Sequence, residues 1–226
     1  MENKQIISNP YKSVGVLHNK GVDFIITKLD PKKFSIENVI DFNSQYLQDV
    51  EGNLAKSNYL KWYEFTANQL NGLEQIQFSE ILREGKLSKE ATFYINEILE
   101  ISVDFDYETI IKVLSNIEEN ILYSEMTQFE KQLPLLCVAV AKESVNYWIE
   151  QLKNPQSPWK PFYDGPLAKA AWPWRADAKG AVQGAVSGAI SGSITGAGAL
   201  VGAGVGALAG GVSASVGAFL FPEKNK

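Results

Sequence analysis

The chain has 226 residues, of which 45% are hydrophobic and 21% charged, and it carries a net charge of −5. That sign argues against a nucleic-acid role driven by overall basicity, and a single cysteine, Cys137, excludes an internal disulfide framework. The opening MENKQIISNP has neither an apolar run nor a cysteine for lipid attachment, so no Sec-type signal is expected and any export takes another route.

Residues 1–153 read as an all-helical head. Asn9 and Pro10 mark a helix start, and Val14, Leu17, Val22, Ile25 and Leu29 follow at roughly helical spacing, with Pro31 beyond the end. Ser35 opens a second helix carrying Ile36, Val39, Ile40, Leu47 and Val50. A third is expected over about 57–70, and a short segment around Ile81 and Leu82 ends at Gly85. Ser88 caps a helix with Ala91, Tyr94, Ile95 and Ile98 inward, and Asp106 caps one through Ile110, Leu114, Ile117 and Ile121. The last head helix runs from about Pro134 to Leu152, with Pro134 either in its first turn or kinking a longer helix. ILEISVDF reads alternatively as a short strand, without an evident partner run. The helices suffice for a single core.

Candidate chemistry in the head reads as structural. His18, the only histidine, has Asn19 and Asp23 nearby, but Asp23 does not share its helix face, whereas Asn19 and Asp23 share one. Asp104, Asp106 and Glu108 alternate, yet an EF-hand would place Gly and Glu where Thr109 and Ser115 stand. Glu118 and Glu119 are adjacent and point apart. Cys137 sits in the apolar run PLLCVAVA, where a thiol acts as a small hydrophobe. No Gly-rich phosphate loop, GxSxG elbow or HExxH occurs, so no enzyme, cofactor or metal is expected.

Residues 154–179 form a Pro- and Trp-rich linker. Trp159, Phe162, Tyr163, Trp172 and Trp174 fall close together, followed by Arg175 and Lys179. Trp159, Trp172, Trp174, Arg175 and Lys179 suit a membrane interface; the alternative is that the aromatics and prolines wrap the head as an extended strap. Residues 180–221 then contain no charge in 42 positions, with 12 of the 18 glycines and 13 large apolar residues. Residues 222–226 form a charged tail.

The repeat GAVQGAVSGAISGSIT sets Gly180, Gly184, Gly188, Gly192 and Gly196 one above another on a helix, a side-chain-free groove beside a ridge of Val182, Val186, Ile190 and Ile194. Gly202, Gly206 and Gly210 continue the small-residue pattern. Each tetrad turns the stripe by about 40°, so a partner helix crosses at an angle. Each glycine costs a helix in water about 1 kcal/mol relative to alanine, a penalty that matters less in a bilayer, where helix is nearly compulsory. One helix of this length would span about 63 Å, roughly twice a hydrocarbon core. A hairpin bending at TGAGAL is therefore expected, with basic flanks at Arg175, Lys179, Lys224 and Lys226. A buried hairpin within a soluble protein, or low-complexity disorder, are the alternatives.

This tail resembles the glycine-zipper segments of bacterial membrane-active proteins, including class II bacteriocins, although no double-glycine leader is present and a long head precedes it. The opening NPYKSVGVLHNKGVDFII resembles the start of uncharacterised Bacteroidota and Firmicutes proteins through Asn9-Pro10-Tyr11, Val14-Gly15, His18-Asn19 and Val22-Asp23, a likeness that implies no activity. The expected architecture is all-α: an N-terminal multi-helix bundle plus a C-terminal glycine-zipper helical hairpin. The expected function is membrane insertion and self-association, as a bacteriocin-like or pore-forming effector. The alternatives are a non-lytic anchor or scaffold whose head binds a protein partner, and a soluble structural protein with a buried Gly-rich hairpin. The expected partners are a lipid bilayer and further copies of the chain, with no nucleic acid; the expected location is membrane-associated.

Overall fold

The computed structural model describes residues 8–51, 87–102, 105–163 and, near the C-terminus, 206, 207, 209–212, 214–216 and 220. Among these the secondary structure is helix without strand: α1 (Lys12–Lys28), α2 (Ile36–Glu51), α3 (Lys89–Glu100), α4 (Tyr107–Tyr123), α5 (Gln128–Lys153) and the short α6 (Lys160–Tyr163). The helices expected over 57–70 and around Ile81 lie outside the described residues. ILEISVDF holds the end of α3 and bends at Ile101 and Phe105, not a strand, among its described residues.

Each start has a local cause. Asn9 Oδ1 accepts from the Tyr11 N–H (2.9 Å), so the Asn-Pro pair forms a turn and α1 proper begins after Tyr11. Ser35 and Asn38 cap α2 reciprocally, each side chain accepting from the other's backbone N–H. Ser88 Oγ accepts from Ala91 N–H (3.2 Å), and Asp106 Oδ1 from Thr109 N–H (2.8 Å). The α4 carbonyl of Leu122 is closed by the nearly buried Lys131, whose ammonium donates at 2.9 Å where the helix dipole is negative.

α5 begins at Gln128, earlier than Pro134 suggested. Thr127 and Glu130 form a capping box, and Pro134 lies inside the helix. This is the central element, packed by α1, α3 and α4. It is consequently buried at every position from Pro134 to Ala141, where a surface helix would show one stripe. α4 runs antiparallel to it: Tyr107 Oη donates to Asn146 (2.6 Å), and Lys142 pairs with Glu118 (2.7 Å).

Two bodies of core result. One lies between α3, α4 and α5, around Ile95, Ile98, Leu114, Ile121, Leu135 and Val145. The other gathers Val22, Ile25, Val39, Trp148, Trp159 and Phe162 with Val212, Val216 and Leu220 of the C-terminal segment. Val212, Val216 and Leu220 therefore share a core with the head.

Candidate functional site

α1 carries two seams. On the side toward α5, four α1-side residues meet that helix at successive turns. Asn9 Nδ2 donates to the Leu135 carbonyl (3.0 Å) and to Glu118 Oε1 (2.8 Å). At Gly15 the backbones nearly touch, since a Cβ there would sit 2.5 Å from the Ala139 carbonyl oxygen. Asn19 Nδ2 donates to the Glu143 carbonyl (2.9 Å), and Asp23 Oδ1 accepts from Tyr147 Oη (2.8 Å). Positions 15, 19 and 23 stack at helical spacing, as do 135, 139, 143 and 147, so the two helices run in the same direction in fixed register.

All four of these α1-side residues fall within the opening stretch NPYKSVGVLHNKGVDFII. His18 is fully buried, and its Nδ1 lies 3.0 Å from Asn19 Oδ1. Because the Asn19 amide nitrogen is engaged by Glu143, Nδ1 is the donor in that contact. Asp23 is half-buried; burial lifts its carboxyl above the ordinary value, and the Tyr147 hydroxyl partly offsets this. Among the described residues no group of three or more His, Cys, Asp or Glu is placed to hold a metal ion. Burial pushes the Cys137 thiol well up, away from the reactive thiolate. Asp106 and Glu130, held below the usual carboxylate range first by backbone N–H bonds from Thr109 and Thr127, are caps.

The second seam is a groove formed by α1, α2 and α5, in which the described residues between 206 and 220 lie. Ala207 packs in a cluster with Leu136, Val140 and Val14, and Ala209 with Leu47, Leu17 and Val50. At Gly21 a Cβ would lie 2.8 Å from Val212 Cγ2 and 2.7 Å from the Tyr46 ring, so a side chain there would have to push the valine or the ring aside. Asn43, fully buried on α2, donates from Nδ2 to the Ala209 carbonyl at 3.2 Å. Tyr46 Oη is spent on the Leu17 carbonyl (2.6 Å), and burial pushes it up to about 12. Val14 beside Ala207 and Gly21 beside Val212 show the segment running the same way as α1.

Gly206 and Gly210, expected as helix-packing positions, are helical and buried here. Of the other expected packing glycines, Gly180, Gly184, Gly188, Gly192, Gly196 and Gly202 lie outside the described residues, as do Trp172, Trp174, Arg175 and Lys179. Trp159, expected at a membrane interface, is instead fully buried in this structure. Its ring centroid is 4.7 Å from that of Trp148, and its Nε1 donates to Tyr147 Oη at 2.7 Å. The physical reason is that Tyr147 already anchors the Asp23 end of the first seam and offers the indole a dry acceptor, as the strap reading of the linker allows. Among the described residues, no helix is long and apolar enough to cross a membrane.

Asn43, Tyr46 and Gly21 were not anticipated from the sequence. A signal for Asn43 existed: Val39, Asn43 and Leu47 lie at four-residue spacing on one face, so a polar group in that stripe needs a buried acceptor. No protein-family model, curated protein or solved structure matches the chain.

Proposed function

We propose that this protein delivers its uncharged C-terminal segment to a lipid bilayer, where glycine-lined helices from several copies associate. The observation that carries the reading is the 42-residue stretch without charge in which glycine recurs every fourth position from Gly180 to Gly196 and again from Gly202 to Gly210. A polar line of Gln183, Ser187, Ser191 and Thr195 runs beside the glycines and would give such an assembly a hydrated seam, the basis for a membrane-permeabilising role. A passive anchor with a partner-binding head is the non-lytic form of the same reading.

A second reading has its own support: Ala207, Ala209, Val212, Val216 and Leu220 are buried against the head, as a permanent core helix would be. Vesicle flotation of the intact protein without detergent separates the two. Insertion predicts flotation, dye release if the assembly is lytic, and loss of release in Gly188→Leu/Gly192→Leu with the head still folded. A protein that stays off vesicles of every composition leaves only the core-helix reading.

A further inference from the structure

Among the described residues, the groove holds its occupant by shape and by a side-chain hydrogen bond from Asn43. Asn43 reaches the Ala209 carbonyl, Gly21 admits Val212, and Ala207, Val212, Val216 and Leu220 pack into apolar clusters with the head. The fit is also incomplete, because Ser215 Oγ is fully buried and meets no hydrogen-bond partner, which weakens the seat. A helix held this way can exchange one dry environment for another, since in lipid its backbone amides remain bonded within the helix. It cannot do both at once: Val212 packed into Gly21 is not available to lipid or to a second copy of the chain.

Building on the membrane reading, we infer that the groove is an intramolecular restraint. Docking of residues 206–220 on α1, α2 and α5 holds the segment off the bilayer, and undocking precedes insertion. The bilayer then competes with the groove for one helix, and the balance between the two affinities sets the inserted fraction.

The test locks the groove. A Gly21→Cys/Val212→Cys pair lies within disulfide reach, given the 2.8 Å approach at that point. Asn43→Cys/Ala209→Cys is the second pair, should a side chain at position 21 disturb folding. Cys137 is fully buried and does not compete. Flotation uses vesicles of phosphatidylethanolamine and phosphatidylglycerol. The oxidised protein should float about tenfold less than the same protein after reductant. Gly21→Leu, which evicts the segment without altering it, should float more than wild type while circular dichroism shows the head still helical.

Equal flotation of oxidised and reduced protein overturns the restraint and leaves the membrane reading standing. Failure of both pairs to cross-link in the detergent-free chain overturns the docked state itself. If reduced protein, wild type and Gly21→Leu all stay off the vesicles, the membrane reading falls, and the restraint falls with it.

Discussion

Two helical segments lie along α1, and they are held in different ways. α5 is tied to the α1 side by Asn9, Asn19 and Asp23, with Gly15 pressed on the Ala139 carbonyl between them. Residues 206–220 are held by shape, with Asn43 as the described side-chain bond. Each hydrogen-bonded step of the first seam would leave a part-buried polar group without its partner if the helices slipped, and the close approach at Gly15 would be lost with it, so the seam fixes one register. The second seam buries apolar surface, and that is a non-directional preference for any dry surrounding. The first seam suits a permanent scaffold; the second suits an exchangeable contact.

The contrast can be broken at five places. The largest effect falls on Trp148, fully buried against Trp159 beside the groove. Trp148→Ala should cost about 3–5 kcal/mol in chemical denaturation and loosen the C-terminal helix as well. A cost well under that would mean the second core is not a core. Next comes Gly15→Ala, for which about 1–3 kcal/mol is expected because the obstructing atom is a backbone carbonyl. Gly21→Ala meets side chains of Tyr46 and Val212 instead, which can give. Its effect should be smaller and fall mainly on protection of residues 206–220. Equal effects at the two glycines would erase the distinction between the seams.

Asn19→Ala should cost about 1 kcal/mol through the lost bond to the Glu143 carbonyl. The smallest effect is expected at Asp23. Burial raises its carboxyl above the ordinary 3.8 in the folded state. Its support for the fold is therefore complete below its unfolded value and is lost as pH rises through the folded value. Asp23→Asn keeps an acceptor for Tyr147 Oη, so the variant should gain on wild type as pH climbs above the carboxylate range. Parallel stability–pH curves for the two proteins would contradict the buried placement of Asp23.

The sequence made much of the scaffold readable because caps and stripes are local. Ser88 with Ala91, Ile95 and Ile98, and Asp106 with Ile110, Leu114 and Ile117, mark helix starts and inward faces without reference to the rest of the fold. The start of α5 is open between two readings for an equally local reason, and the longer helix is the one found. Pro134 suits either a first turn or the interior of a longer helix, and the Thr127–Glu130 box ahead of it decides for the second.

What was not readable was the partner of each close approach. A run of small residues announces that another backbone comes near, but carries no address. Around residues 206–216 that neighbour is α1 of the same chain, entered through Gly21, and nothing in the spacing of Gly206 and Gly210 distinguishes it from a second copy. Trp159 was opaque in the same way: an indole beside an uncharged segment suits a headgroup layer, and only the fold reveals Tyr147 Oη as its acceptor.

Amide hydrogen exchange of the full-length protein, read at residues 206–220 before and after vesicles are added, tests the central claim most directly. The account predicts slow exchange in the detergent-free chain, comparable with that of α1. It further predicts that added vesicles unprotect the groove-lining amides around Gly21 and Asn43 while residues 206–220 stay slow. Fast exchange of residues 206–220 in the free protein, or groove amides indifferent to vesicles that bind the chain, would contradict it.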